Sequence, residues 1–214
     1  VTPIRLVKDQ TDKGLSIKKG KIKIAVIFAE GEISSGEGRK GSIGSESIVS
    51  DFEDAQADKE VKAIVLRINS PGGDALAADV IWREIQKVDK KIPVVVSMGD
   101  VAASGGYYMA AASRYIFAEA TTITGSIGVF GIMANTEKFF KNKLGVSFDG
   151  VTTHEHSDIG NSNRPMTDIE AKFIQSSVER VYARFLDVVK TGRNFKDVKE
   201  VAEIAEGRVW SGTK

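Results

Sequence analysis

Three apolar runs constrain the fold more than any other feature. "KIAVIFAEGEI" (23–33), "VKAIVLRINS" (61–70) and "IPVVVSM" (92–98) are nearly continuous in aliphatic, largely β-branched residues. Strands of that kind are buried on both faces, which is the habit of parallel sheets. Helix-length segments separate them. "SIVSDFEDAQAD" (47–58) reads as a short helix. After "PGG", Asp74 is placed to cap a helix in which Ala77, Ile81, Ile85 and Val88 recur at helical spacing. Alternating strands and helices predict an α/β fold with a mostly parallel sheet. Its working loops then lie at the carboxyl ends of strands. Two loops qualify: "NSPGGD" (69–74) and "GDVAASGG" (99–106).

The remaining segments extend this frame. A small-residue helix is expected over about 104–112, and "RYIFAE" (114–119) and "TITGSIGVFG" (122–131) read as further strand pieces. "NTEKFFKNKLG" (135–145) is helical and ends at a glycine, and "VSFDGV" (146–151) reads as a short strand. Residues 154–165 form a polar loop. A long helix covers 167–190, with Ile174, Val178, Val181, Phe185 and Val188 on one face, and a last short helix runs from Asp197 to Glu206. Residues 1–20 read as an arm or linker, and 21–214 as one domain. Val1 is not a natural first residue and "AEGRVWSGTK" stops abruptly after Gly212, so both ends are expected to be cut.

Composition narrows the chemistry. The chain has no cysteine, which excludes disulfides, thiol nucleophiles and zinc–thiolate sites. Thirty basic residues against 29 acidic ones leave a net charge of +1, so no strong field favours nucleic acid or anionic lipid. No apolar run is long enough to cross a bilayer, and no signal peptide is read at the start.

Ser104 is the candidate nucleophile. At a strand-to-helix turn it sits where backbone N–H groups are unpaired and point outward, a setting suited to a developing oxyanion. Gly105 and Gly106 leave room for a peptide to approach. Helix capping explains the same serine. In "NSPGGD", Gly72 and Gly73 allow backbone angles closed to other residues, and their N–H groups could supply a second donor. An ordinary turn explains them too. Adjacent strands would bring Gly73 and Ser104 toward one pocket.

A serine needs a base. The two histidines, His154 and His156, lie in "TTHEHSD" and are formally able to pair with Asp158 or Asp149, or to be merely solvated. Lys138, Lys141 and Lys143 read as a solvated helix face, and no lysine stands alone in the apolar setting that lowers its pKa. No metal-binding pattern accompanies the H-x-H pair. "GEGRKG" (36–41) matches a dinucleotide-binding fingerprint literally, but continues through "SIGSES" rather than opening a helix at once, so a flexible loop is the better reading.

"VKAIVLRINSPGGDALAADVI", "PVVVSMGDVAASGGYYMAAASRYIFAEATTITGSIGVFG" and "EIAEGRVWSG" resemble, in this order, the signal peptide peptidase A (protease IV) family of S49 serine peptidases. The resemblance covers nearly the whole chain from residue 22. It implies a Clp-protease/crotonase-like fold of ββα units and cleavage of peptides, notably remnant signal peptides, by a serine–lysine dyad. It implies Ser104 as nucleophile, Gly105 as one oxyanion donor with Gly73 or Gly72 opposite, and Ser126 of "TGSIG" as the serine that hydrogen-bonds the lysine. No cofactor is implied. Where short members carry the lysine, "THEHSDIGN" holds Ser157. Long members have two tandem copies, the carboxyl-terminal one supplying the serine and the amino-terminal one the lysine. The chain resembles that carboxyl-terminal copy, with residues 1–20 as linker and a final helix and strand expected beyond Lys214. The resemblance further implies a ring-like oligomer, tetrameric in long forms, on the outer face of the cytoplasmic membrane, with the membrane segment upstream. A substrate peptide would pair along the strand edge near "NSPGGD", with small or apolar residues at the cleavage position and "GEGRKGSIG" lining the opening. Two other readings stay open: a non-catalytic assembly module of the same fold, and a self-contained Ser-His hydrolase using His156.

Overall fold

The computed structural model describes residues 22–214, so the arm read over 1–20 lies outside the described residues. The chain divides into two compact units. One comprises the residues up to Gly128 together with Arg184–Lys214, and the other is Val129–Ala183.

The first unit is built on a parallel sheet. Strands β1 (Lys23–Glu30), β4 (Val61–Ser70) and β5 (Val94–Ala103) carry the three apolar runs and lie side by side in that order. Their register sets Ala25 beside Ile64, Ile27 beside Leu66, and Leu66 beside Val96. Alternate residues of the strands are fully buried, among them Ile27, Ile64, Leu66, Ile68 and Val96. Helices α1 (Ser45–Ala57) and α2 (Ala75–Asp89) contribute Ile48, Phe52, Ile81, Ile85 and Val88 to the same core. Burying each such side chain contributes roughly 1.5–3 kcal/mol. The expected cap of α2 is present: the Asp74 carboxylate accepts the Ala77 N–H at 2.6 Å.

The far edge of β5 is shared. Its first half pairs with β6 (Tyr115–Phe117) and its last three residues with β7 (Ile123–Gly125), both in parallel. A closing strand, β8 (Val209–Ser211), pairs antiparallel with β7, where the sequence pattern marked no strand. Helix α3 (Gly105–Ala110) leaves the end of β5 directly, and α6 (Val198–Ile204) is capped by Asp197.

Several boundaries differ from the sequence expectation. The first apolar run breaks at Gly31 into β1 and β2 (Glu32–Ser34). The glycine- and serine-rich segment behind it is not all loop: β3 (Ser42–Gly44) pairs in parallel with β2, and α1 already begins at Ser45. "GEGRKG" therefore turns the chain from one short strand into another instead of opening a helix, as the loop reading requires. Strand β5 runs five residues past Met98, to the residue before Ser104.

The second unit carries α4 (Glu137–Phe139), continued by a π turn over Phe140–Leu144 that ends at Gly145 in the left-handed region. Residues 146–151 form no strand. Their apolar member Phe148 instead packs edge-on against Phe140, ring centroids 5.0 Å apart. Helix α5 (Asp168–Arg193) starts in this unit, and its residues from Arg184 on belong to the first. Phe185 and Val188 of the expected apolar face are buried there, while Ile174, Val178 and Val181 are half-buried.

Candidate active site

The carboxyl ends of β4 and β5 carry the two glycine-paired turns that the sequence singled out, and that of β7 carries the "TGSIG" turn that the resemblance added. Strand pairing brings them together. Ala103 of β5 is in register with Gly125 of β7, so the next residues, Ser104 and Ser126, follow from adjacent strand ends. Both leave their strands at positive φ, 51° for Ser104 and 48° for Ser126. Ser104 has ψ −120°, outside the left-handed helical well, a conformation that non-glycine residues hold only when their surroundings enforce it.

Two bonds hold Ser104 there, and a third anchors Ser126. The Ser104 N–H donates to the Gly125 carbonyl at 3.0 Å, the Ser104 carbonyl accepts the Tyr108 N–H at 2.9 Å as the first bond of α3, and the Ser126 N–H donates to the Arg208 carbonyl at 2.7 Å. The Ser104 hydroxyl makes no capping bond to its own helix. The capping explanation of this serine therefore lacks the contact it needs, and its half-buried side chain is left at the turn.

The "NSPGGD" turn lies against the start of α3. A Cβ built on Gly72 would stand 2.8 Å from both the Gly105 nitrogen and the Ser104 Cβ, so only glycine lets the turn approach this closely. The Gly72 N–H is engaged by the buried Ser70 hydroxyl at 3.1 Å. Gly73 differs. Its neighbours tie the turn to β2, the Gly72 carbonyl accepting from Ile33 at 2.8 Å and the Asp74 N–H donating to Ile33 at 2.9 Å. Among the described residues, neither the Gly73 N–H nor the Gly105 N–H meets an acceptor. A Cβ built on Gly105 would stand 3.4 Å from the Gly73 nitrogen, which measures how close these two turns lie. Of the two glycines the sequence left open, Gly73 has the free donor and Gly72 supplies the space.

One irregularity aims β5 at this point. Ile68 pairs with Met98, but Ser70 pairs with Ala102, so β5 gains residues against Asn69. The Asn69 side chain fills the gap by accepting the Val101 N–H at 3.1 Å. Such a bulge re-aims the strand that follows.

The candidate bases are placed as follows. Within the unit that holds Ser104, no described lysine is buried. The two half-buried ones are paired, Lys23 with Asp58 and Glu60, and Lys190 with Asp187. None has the desolvated setting of a lysine base. Lys138, Lys141 and Lys143 are exposed in the second unit, as a solvated face should be. His154 and Ser157 are exposed there too. His156 is half-buried, and its Nδ1 lies 3.4 Å from the Glu170 carboxylate. That carboxylate is 2% exposed and receives Arg164 at 2.6 and 2.8 Å, while Arg164 also holds Asp158. Asp158 is thus the partner of Arg164 rather than of a histidine. The described residues hold no cluster of three or more metal-ligating groups, and no helix among them is long and apolar enough to cross a membrane.

Comparison with known proteins bears on the same residues. The profile of peptidase family S49 matches residues 86–214, and that of the Clp protease family matches 22–126. The architecture is accordingly Clp-protease-like. The chain is 42% identical over 190 residues to Protease 4 of Salmonella typhi and 41% over 197 residues to Protease 4 of Haemophilus influenzae. It is 38% identical over 203 residues to the chloroplastic serine protease SPPA of Arabidopsis thaliana. These alignments cover 88%, 89% and 92% of the chain but only 30%, 31% and 30% of the relatives. The chain spans less than a third of the length of these three relatives.

Proposed function

The chain belongs to peptidase family S49, and on that premise we propose that it is the carboxyl-terminal catalytic copy of a two-copy serine endopeptidase. Ser104 is its nucleophile, the Gly105 and Gly73 N–H groups form the oxyanion hole, and a lysine of the companion amino-terminal copy is the general base. One observation carries the reading: a serine held at φ 51° and ψ −120° beside two backbone N–H groups without acceptors. The lack of any buried lysine among the described residues of its own unit supports a base from elsewhere, and the small share of the two Protease 4 relatives and of chloroplastic SPPA that the chain spans supports a second copy.

In this mechanism the neutral lysine takes the proton of the Ser104 hydroxyl as its oxygen attacks the scissile carbonyl. The tetrahedral oxyanion is held by the Gly105 and Gly73 N–H groups, which need no reorganisation because the turn and helix already fix them. The lysine then returns the proton to the leaving amine, and water releases the acyl group by the reverse sequence. Ser126, one strand over, hydrogen-bonds the lysine and orients it. The substrate is an extended peptide, in the first place a cleaved signal peptide, added as a strand beside the "NSPGGD" turn with a small or apolar residue at the cleavage position. The intact protein works as a homo-oligomer on the outer face of the cytoplasmic membrane.

The test is hydrolysis of an apolar fluorogenic peptide by the chain alone, by the chain mixed with its amino-terminal half, and by the intact protein carrying Ser104→Ala. Activity only in the mixture, abolished by Ser104→Ala, is expected. Hydrolysis by the chain alone would move the base into this chain, and survival of activity in Ser104→Ala would remove the serine from the mechanism.

A further inference from the structure

Helix α3 is only six residues long, and Ser104 is the residue immediately before it, at its N-cap position. Whatever fixes α3 also fixes the hydroxyl of Ser104 and the direction of the Gly105 N–H. Six residues make too short a helix to hold its own geometry, so tertiary contacts must do so. At its far end the backbones of α3 and α5 touch: a Cβ on Gly192 would stand 1.9 Å from the Ala111 carbonyl oxygen. The Arg193 guanidinium also donates to the Ser113 carbonyl at 3.1 Å.

At its near end the "NSPGGD" turn packs against it and Gly125 holds Ser104, and one side chain ties it to α2. Tyr108 donates its backbone N–H to the Ser104 carbonyl, and its hydroxyl donates to the Asp79 carboxylate of α2 at 2.6 Å. The ring lies between Trp82, 6.1 Å away edge-on, and Phe185, 4.9 Å away. Asp79 is itself held from the other side. Arg83 donates to its second oxygen at 2.8 Å, and Arg184, stacked 4.7 Å over Trp82, approaches the first at 3.3 Å. Burial works to raise the Asp79 carboxyl, but the Tyr108 hydroxyl and the two arginines outweigh it and hold it below its ordinary value. The acceptor is an anion, and the bond to it is the short, charge-assisted kind.

We propose that Asp79 and Tyr108 form a positioning pair, which locks the first turn of α3 against α2 and thereby sets Ser104 and the Gly105 N–H for reaction. The inference rests on the reading of Ser104 as nucleophile. Neither residue touches the substrate; both act through the helix. A displacement of about 1 Å at a reacting group can lower the rate on the order of a hundredfold, so loss of the hydroxyl alone shows in turnover.

The experiment uses the intact two-copy protein and the fluorogenic peptide, with Ser104→Ala run in parallel. Tyr108→Phe keeps the ring and removes the bond. Its kcat is expected to fall roughly ten- to a hundredfold with KM within about twofold, and its melting temperature to stay within a few degrees of the parent. Asp79→Asn still offers an amide oxygen to the hydroxyl and should recover most of the rate. Asp79→Ala should not, and it should add nothing in combination with Tyr108→Phe. Unchanged kcat in Tyr108→Phe, or losses that multiply independently in the double variant, would overturn the pair. Should Tyr108→Phe not fold, equal rates for Asp79→Asn and Asp79→Ala would overturn it equally. If Ser104→Ala remains active, the nucleophile assignment fails and the pair has nothing to position. If Ser104→Ala is inactive while Tyr108→Phe is unimpaired, the positioning inference alone fails.

Discussion

Ser104 donates its backbone N–H to the carbonyl of Gly125, 3.0 Å away, at the point where β5 and β7 end together. The bond couples the strain at the serine to a neighbour that is itself at φ 75°. A Cβ on Gly125 would stand 2.5 Å from the Trp210 ring. Gly125→Ala must therefore either push Trp210 away or rotate the carbonyl that Ser104 uses. We expect a loss of about 2 kcal/mol, from the positive φ and the crowding together. For a chain of this size that lowers the melting temperature by roughly 4–8 °C. Thermal denaturation checks the first consequence, and peptide hydrolysis by the intact protein checks the second, a fall in turnover. A variant with the parent's stability and rate would show that the Gly125 carbonyl is not a support of Ser104.

Gly73 is the second donor in the proposed oxyanion hole, and its surroundings leave no room for a side chain. At φ 149°, a Cβ would come within 2.2 Å of the Ile33 carbonyl oxygen, so Gly73→Ala has to break the contact between the turn and β2. Alanine keeps the N–H but must move it off its aim, and losing one preorganised donor lowers turnover by roughly a hundred- to a thousandfold. Gly73→Ala should reach that range in kcat. Ser70→Ala gives the complementary result. It frees the Gly72 N–H in a buried site, which costs about 1–3 kcal/mol of stability, and leaves the Gly73 donor in place. A Gly73→Ala protein that has lost stability through the clash with Ile33 yet keeps the parent's turnover would exclude Gly73 as a donor.

The parts of this fold that were legible in the sequence are those written in local pattern. The three long strands, the Asp74 cap and the buried stripe of α2 each follow from the spacing of apolar residues within a few turns. What escaped is set by distant partners. Strands β2, β3 and β8 are three residues each and exist only through pairing, β2 and β3 with one another across the loop between them and β8 with β7, far back along the chain. Residues 146–151 have strand-like composition, yet Phe148 finds Phe140 instead of a strand neighbour. Glycine pairs marked both turns of the site, and small residues marked Ser104. The backbone angle of Ser104 was not legible, because Gly125 and the Gly72 turn impose it. Nor was the difference between the Gly72 and Gly73 donors, which depends on the hydroxyl of Ser70. The tie from Tyr108 to Asp79 spans 29 residues and two helices, and no spacing rule announces it.

Asp51 gives a pH dependence from the first unit. It lies buried on α1, and burial, reinforced by the nearby Asp54, pushes its carboxyl up to about 6. In the unfolded chain the same group titrates near 4. Between those values the folded state binds the extra proton, so stability falls as pH rises from about 4 to about 6 and stays lower above that. Raising a carboxyl from about 4 to about 6 corresponds to about 3 kcal/mol at most. Asp51→Asn should remove this slope and be more stable than the parent at pH 7 by about 1–3 kcal/mol. Urea denaturation at pH 4.5 and pH 7 measures both. Equal stabilities of the variant and the parent at pH 7 would show that Asp51 is not strained by its burial.

Arg164 gives the opposite sign in the second unit. Its guanidinium holds Asp158 down to about 2 and Glu170 well below the usual carboxylate range, with the Thr167 N–H also donating to Glu170. A depressed carboxyl contributes stability that is present above its unfolded pKa, near 4, and is lost as pH falls through its folded value. The local structure around 158–170 should therefore hold at pH 5 and loosen as the pH is lowered from about 4 to about 2. Hydrogen exchange or limited proteolysis, read at residues 129–183 across that range, reports it directly. Arg164→Met removes the cation but leaves Glu170, 2% exposed, without its main partner. A buried acid left unpaired destabilises more than the lost pair alone. The variant should open this segment already at neutral pH, and its protection should improve on acidification as Glu170 takes up a proton. Unchanged protection of Arg164→Met at pH 7 would mean that the cluster is a surface ornament of the helix start and does not hold the segment together.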